Sequence, residues 1–323
     1  MKAILVFEPG GPEALKLVDI PKPTPGPNQV VVKIAAIGVN FIDIYFRTGL
    51  YRAETPIAIG QEAAGTVEEV GADVTEFAVG DRVAYAMVRG SYAEYHAVPA
   101  SMLIKLPNQV PFETAAAAML QGMTAHYLTH STFPLKPGHT ALVHAAAGGT
   151  GRIIVQMAKM LGARVIGTTS TAEKAALARK AGADEVIIYT QQDFEVEAKA
   201  LTDGRGVDVV YDSVGASTFE KSLNCLRPKG MMVTFGNASG AVPAIEPLLL
   251  SQKGSLFLTR PTLMHYTLTR EELLWRANDV LNLIATGKLD VHVHKTYSLA
   301  HAAQAHIDLA GRSTSGKLLL LPS

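Results

Sequence analysis

Apolar residues along this chain follow two different rhythms, and the change from one to the other falls near residue 120. Before it, short β-rich runs ("KAILVF", "QVVVKIAAIGV", "AAGTVEEVG", "DRVAYAM", "YAEYHAV") are broken by Gly, Pro and Asp. That spacing predicts a compact, barrel-like β domain. After "LPNQVPFETAAAAMLQGMTAHYLTH", apolar strands alternate with longer segments of helical period. The alternation predicts strands over 141–145, 164–168, 185–189, 207–212, 231–235 and 255–259, with helices between them. Six such units make an α/β fold with a doubly wound parallel sheet of Rossmann type. Beyond Arg260-Pro261, the positions Leu273, Leu274, Ala277, Val280, Leu281 and Ile284 keep helical spacing, and Thr269 is placed to cap that helix. The expected layout is a β domain over 1–124, a doubly wound domain over 125–262, and a segment over 263–323 that returns to the first domain.

The stretch "ALVHAAAGGTGRIIVQMAKMLGARVIGTT" gives the second half a candidate chemistry. A strand leads into Ala146-x-Gly148-x-x-Gly151, a helix follows, and another strand begins near Arg164. A dinucleotide needs a tight turn, a backbone that can approach the pyrophosphate, and a helix packed close to the sheet. Gly148, Gly149 and Gly151 are the expected suppliers, with free N–H groups of the helix start facing the phosphates. The second strand ends in "GTTSTAEK", with no acid before Glu173 to bind ribose hydroxyls. Ser170 and Thr171 can instead hydrogen-bond a 2′-phosphate and Lys174 can neutralise it, which points to NADPH over NADH. The competing role for Lys174 is an ordinary solvated helix residue.

Composition narrows the rest. The 323 residues exceed the usual size of one core, and 48% hydrophobic against 18% charged residues is enough to fill two. Twenty-nine basic residues balance 29 acidic ones, so the net charge shows none of the excess expected of a nucleic-acid binder. The N-terminal apolar run is too short for a signal peptide, and no stretch approaches a membrane span. The lone Cys225 forms no internal disulfide and suits a reducing cytoplasm; a buried, inert thiol is its expected state. His126 with His130, and His292 with His294, are only pairs, and two ligands without a third make a poor metal site.

Residues 57–86, "IAIGQEAAGTVEEVGADVTEFAVGDRVAYA", together with the glycine loop, resemble the medium-chain dehydrogenase/reductase superfamily. Zinc-dependent members carry a histidine inside Gly-His-Glu and a cysteine after an upstream Gly-Val pair. Here those positions read Gly60-Gln61-Glu62 and Gly38-Val39-Asn40. Neither Gln61 nor Asn40 is a usual zinc ligand, and the cysteine-rich structural-zinc lobe is missing, so no metal is expected. Without a Lewis acid the acceptor must be easy to reduce unaided.

Within the superfamily the chain is most similar to the zinc-free, zeta-crystallin-like NADPH:quinone oxidoreductases. The likeness spans essentially the whole chain through "AIGVNFIDIYFRTGLY", "HAAAGGTG", "VVYDSVG", "TFGNASG" and "LTRPTL". It implies a GroES-like catalytic domain beside the Rossmann domain, with NADPH and a quinone in the cleft between them. It also implies that Asn40, Asp43, Tyr45 and Thr124 line the nicotinamide side, and that Gly149, Thr150 and Gly151 meet the pyrophosphate. Ser170, Lys174 and Tyr189 would surround the 2′-phosphate. Ser213, Phe235, Gly236 and Arg260 would lie at strand ends, and Arg312 would reach the cofactor from the tail. Gln121, where relatives often carry lysine, and Ser170, where some carry glycine, depart from the pattern.

A quinone gains aromaticity on reduction, so the protein mainly holds the reactants together and excludes water. Tyr45 and Tyr51 are the candidates for stacking on it or hydrogen-bonding to it, with packing at the domain boundary as their competing role. Asn40 is the candidate donor to a quinone oxygen. Two alternatives stay open. One is reduction of activated C=C bonds in enones or alkenals; the other is a crystallin-like NADPH-binding protein with a structural or RNA-associated role. The resemblance also implies a homodimer, and the apolar last strand, "SLFLTRP", is the sheet edge expected to join the two copies.

Overall fold

The computed structural model describes residues 1–311 and 314–322. The chain forms two compact units, Met1–Met123 with Tyr266–Ser323, and Thr124–His265. The first begins with β1 (Lys2–Val6), β2 (Lys16–Asp19), β3 (Gln29–Val39), α1 (Phe41–Arg47), β4 (Ile57–Ala58) and β5 (Glu62–Val70). It continues through β6 (Arg82–Ala86), β7 (Tyr95–Pro99), β8 (Ile104–Lys105) and into α2 (Phe112–Tyr127). The five β-rich runs of the sequence thus correspond to β1, β3, β5, β6 and β7. The chain of β3, "QVVVKIAAIGV", is buried at nearly every position, because both of its faces are covered. Val30, Val32, Ile34, Ile37 and Val39 supply the centre of the core, each contributing about 1.5–3 kcal/mol on burial.

The second unit contains β9 (Thr140–Val143), α3 (Gly149–Met160), β10 (Arg164–Thr169), α4 (Ala172–Lys180), β11 (Glu185–Ile188) and α5 (Phe194–Ala200). Then follow β12 (Val207–Asp212), α6 (Phe219–Cys225), β13 (Leu226–Thr234), α7 (Pro247–Gln252) and β14 (Phe257–Thr259). The six strands are parallel, in the order β11-β10-β9-β12-β13-β14. This is the doubly wound order expected from the sequence, with the direction of winding reversed between β9 and β12. One boundary differs appreciably: β13 starts at Leu226, ahead of the expected 231. Leu226 already pairs with Val207, and the register then slips across Pro228 and Lys229, the latter at φ 60°. A proline and a left-handed residue mask a strand start in sequence.

The chain returns to the first unit through α8 (Arg270–Ala285), β15 (Val293–Ser298), α9 (Ala302–Ala310) and β16 (Lys317–Leu321). Thr269 caps α8 as its sequence suggests: its hydroxyl accepts the Glu272 N–H at 3.1 Å, and the Glu272 carboxylate accepts the Thr269 N–H at 3.3 Å. Leu273, Ala277, Val280 and Leu281 form its buried stripe. At Gly122 of α2 a Cβ would lie 2.7 Å from Val280 Cγ1, so glycine lets the two helices close on each other. Two sheets organise this unit, a three-stranded one (β2-β1-β4) and a seven-stranded one. In the latter β3 is the hub, pairing with β5 along one edge and with β7 and β16 along the other. The β3–β16 pairing brings the tail of the chain beside Gly38 and Val39.

Candidate active site

The glycine loop connects β9 to α3. Its sharp reversal is made at Ala145, φ 50°, and not at one of the glycines, which corrects the expectation that glycine supplies the tight turn. The Ala145 carbonyl then accepts the Gly148 N–H at 2.8 Å. Gly151 has the strictest requirement, since a Cβ there would stand 2.2 Å from the Ala145 oxygen. Gly148, the N-cap of α3, provides no side-chain cap, so the N–H groups of Gly149, Thr150 and Gly151 open the helix without a side-chain acceptor. A phosphate-bearing nucleotide fits this cradle: backbone can approach closely, and the donors and the positive end of the helix dipole converge there.

Other nucleotide candidates follow the carboxyl ends of neighbouring strands. Ser170 and Thr171 come after β10, and Thr171 Oγ1 caps α4 by accepting the Lys174 N–H at 3.2 Å. Tyr189 follows β11, held by its N–H to the Thr169 carbonyl at 3.0 Å and otherwise exposed. After β12, Ser213 sits in a turn braced by Asp212, whose carboxylate accepts the N–H groups of Val214 (2.6 Å) and Gly215 (3.1 Å). A Cβ on Gly236, after β13, would lie 2.3 Å from the Ser213 oxygen, and the adjoining Phe235 N–H binds the Asp212 carbonyl at 2.8 Å. Arg260, after β14, reaches the Thr234 carbonyl at 3.0 Å. Thr124 is a buried residue of α2. Arg312 lies outside the described residues.

In the first unit, α1 organises the remaining candidates. Tyr45 on this helix and Tyr51 just after it meet edge to face, ring centroids 5.2 Å apart, and the Tyr51 N–H binds the Tyr45 carbonyl at 3.0 Å. Asn40 precedes the helix, and its backbone N–H donates to Asp43 Oδ2 at 2.8 Å. Asp43 itself is fully buried.

The metal-like position contains an ion pair. Lys317 Nζ, at the start of β16, donates to Asn40 Oδ1 at 2.7 Å and to Glu62 Oε2 at 2.6 Å. Asn40 Nδ2 donates to the same Glu62 oxygen at 2.9 Å and to the Gly38 carbonyl at 3.2 Å. The other oxygen of Glu62 accepts the Leu120 N–H at 2.6 Å. Gly38 makes room for this carboxylate, since a Cβ would fall 2.3 Å from Glu62 Oε2. An ammonium and an amide NH₂ directed at one carboxylate do not fit a zinc ion, which needs lone pairs pointing inward. Both amide protons of Asn40 are spent inside the protein, so its role as donor to a quinone requires breaking one of these bonds. Lys317 is the participant that the sequence reading missed; its only local signal is a charge opening the apolar run "KLLLL". Among the described residues no group of three or more His, Cys, Asp or Glu could hold a metal ion. His126 and His130 stack face to face at 4.2 Å. Cys225 is buried and its thiol is pushed up to about 12 by desolvation, then by Glu195, which makes it a poor nucleophile.

Residues 26–108 match the alcohol dehydrogenase GroES-like domain, and residues 149–282 match the zinc-binding dehydrogenase family. The quinone oxidoreductase of Pseudomonas aeruginosa is 49% identical over 315 residues, 97% of each chain. The chain belongs to the quinone oxidoreductase family. A solved structure of Escherichia coli quinone oxidoreductase complexed with NADPH matches this family member with a TM-score of 0.98 and 46% identity, covering 100% of both chains. The 2-haloacrylate reductase of a Burkholderia species is 45% identical over 328 residues, 99% of this chain and 98% of that one. Although the second matched family is named for zinc, this quinone oxidoreductase family member keeps its fold with Gln61 and Asn40 at the two ligand-like positions.

Proposed function

We propose that the protein is an NADPH-dependent quinone reductase that works without a metal. The observation that carries the reading is the Lys317–Glu62–Asn40 cluster, in which one of the two ligand-like positions, Asn40, is tied into an ion pair, in a chain alike over its full length to quinone oxidoreductases. When bound, NADPH supplies the two electrons that convert a quinone to its hydroquinone. Gly148, Gly149, Thr150 and Gly151 hold the pyrophosphate, and Ser170, Thr171, Lys174 and Tyr189 hold the 2′-phosphate. Ser213, Phe235, Gly236 and Arg260 complete the nucleotide contacts, with Thr124 toward the nicotinamide.

Asn40, Asp43, Tyr45 and Tyr51 belong to the reacting end. The two tyrosine rings offer a π surface and a hydroxyl to a flat, electron-poor substrate. Asn40, anchored by Lys317 and Glu62, gives that end a fixed wall. A quinone needs no Lewis acid because its reduction product is aromatic and stabilises the incoming charge. Holding the reactants in contact and excluding water is therefore the main task of the protein.

A second reading, reduction of an activated C=C bond, is favoured by the likeness to 2-haloacrylate reductase. Steady-state rates on a quinone panel and on an enone, each with NADPH and NADH, separate the two. Faster quinone turnover with NADPH preferred supports the first reading; turnover of the enone alone supports the second. A homodimer joined through β14 agrees with this strand being the sheet edge and with the exposed Phe257 on it. A cytoplasmic location suits the lone Cys225. No helix among the described residues is long and apolar enough to cross a membrane.

A further inference from the structure

Asp43 is buried in a chain of hydrogen bonds whose polarity can be read from its ends. Arg47 NH1 lies 3.3 Å from His306 Nδ1, and a guanidinium can only donate, so Nδ1 accepts and the imidazole proton sits on Nε2. Nε2 is 3.0 Å from Tyr92 Oη, and the Tyr92 hydroxyl donates to Asp43 Oδ2 at 3.1 Å. The Asn40 N–H donates to that same oxygen at 2.8 Å. Every donor therefore converges on Oδ2, while Oδ1 is buried with no hydrogen-bond partner. An ionised carboxylate would leave half of its charge unsolvated at Oδ1. A neutral acid, with Oδ2 as carbonyl and the proton on Oδ1, leaves an unpaired hydroxyl there in place of an unsolvated charge, which is the smaller cost.

The groups acting on Asp43 come from five elements. Asn40 and Arg47 belong to α1 and its cap, Tyr92 to the loop before β7, His306 to α9, Glu62 to β5 and Lys317 to β16. His306 is held neutral, pushed down to about 3 by burial and then by Arg47. Burial likewise raises the Tyr92 hydroxyl, with Asp43 adding to it. For Asp43 burial dominates and raises the acid to about 7; the Asn40 N–H, Lys317 and the Tyr92 hydroxyl pull it down, and Glu62 pushes it up.

Asn40 joins this chain to the buried ion pair, because its backbone binds Asp43 while its side chain binds Glu62 and Lys317. We propose that Asp43 is a proton-linked positioning residue: taking up one proton from bulk water or returning it, it changes its hold on the Asn40 N–H and Tyr92 hydroxyl. It thereby sets how the Asn40–Tyr45 segment meets the substrate. The inference rests on the quinone-reductase reading for what the segment meets, but not for the proton itself. An ionised Asp43 grips the Asn40 N–H more strongly than a neutral one, since a charged acceptor roughly doubles a hydrogen bond. The adjustment is passed directly to the start of a short helix, α1, which has Asn40 as its N-cap and carries Tyr45 two residues after Asp43.

The test titrates the full-length wild type, Asp43→Asn and Tyr92→Phe from about pH 5 to about pH 9. Three readouts are followed: the infrared band of the protonated carboxyl, the Asn40 and Tyr45 amide resonances, and KM and kcat for a simple benzoquinone. The expected result is a carboxyl band that titrates near neutrality in the wild type and is absent from Asp43→Asn. Tyr92→Phe, which keeps the aromatic packing, should raise the midpoint by about half a unit to one unit, because a donor to the ionised form is lost. The amide resonances and KM should share the wild-type midpoint, with kcat unaffected by it. A band titrating in the ordinary carboxylate range, or a KM inflection that persists in Asp43→Asn, would overturn the proposal. Amide shifts near neutrality without a matching change in KM would also overturn the positioning role. If benzoquinone is not reduced at all while the band and amides titrate near neutrality, the quinone reading fails, and the proton on Asp43 stands without it.

Discussion

Lys317 Nζ and Glu62 Oε2 are 2.6 Å apart, both side chains almost wholly buried, and Asn40 ties them to the first turn of α1. A charge pair withdrawn from water is held only if its remaining valences are satisfied, and here Asn40 and the Leu120 N–H do so. Removing one partner leaves the other charge buried and uncompensated. Lys317→Met should lower the unfolding free energy by about 3–5 kcal/mol, read as a lower urea midpoint at unchanged slope. The double change Lys317→Met with Glu62→Gln should recover much of the loss. Equal loss in the single and double variants would show that packing, not charge, matters there.

Gly151→Ala tests the nucleotide cradle. A methyl group 2.2 Å from the Ala145 oxygen cannot be accommodated without moving the loop or the start of α3. NADPH affinity, measured by fluorescence titration, should fall by tenfold or more, about 1.4 kcal/mol or above. Gly204→Ala is not a suitable control because of its left-handed φ of 77°, whereas Ala200→Ser on the exposed surface of α5 is. Unchanged NADPH binding in Gly151→Ala would remove the loop from the binding site.

How much of this was legible beforehand depends on sequence distance. The parallel sheet could be read because each strand and helix announces itself within a few residues, through period and glycine punctuation. The capped start of α8 could be read because Thr269 and Glu272 lie in one turn. The Lys317–Glu62 pair could not, since its members are 255 positions apart and are brought together by β3, which pairs with β16 on one side and β5 on the other. Tyr92 and His306, 214 positions apart, were hidden for the same reason. Ala145 escaped notice because a non-glycine residue in the left-handed region has no composition signal of its own.

The edge-to-face pair of Tyr45 and Tyr51 gives a graded prediction. If the rings supply surface, Tyr51→Phe should stay within about twofold of wild type, whereas Tyr51→Ala should raise KM for a quinone by about tenfold, the worth of one aromatic contact. A large loss in Tyr51→Phe would instead assign the work to the hydroxyl.

Buried histidines make the fold sensitive to acid. Burial, followed by Arg47, depresses His306 to about 3, and burial depresses His96 to about 4. Both are depressed below their ordinary value of 6.5, so the stability they confer is complete above that pH. It is lost as the pH falls toward 4 and then 3, where the unfolded chain binds protons that the folded one refuses. The slope is up to about 1.4 kcal/mol per pH unit for each group. Asp43 opposes this trend: raised to about 7, its contribution is present below its ordinary value of 3.8 and lost as pH rises through 7. Urea midpoints between pH 7 and pH 4 should therefore fall less steeply in His306→Gln than in the wild type. An identical slope would mean that His306 is not kept neutral in the folded protein.

The most direct test of metal-free quinone reduction is to strip the purified protein with a strong chelator, quantify its residual zinc, and follow NADPH oxidation with a quinone. Full turnover by zinc-free protein, unchanged when zinc is restored, is the predicted result. Turnover that vanishes on stripping and returns with zinc would contradict the account.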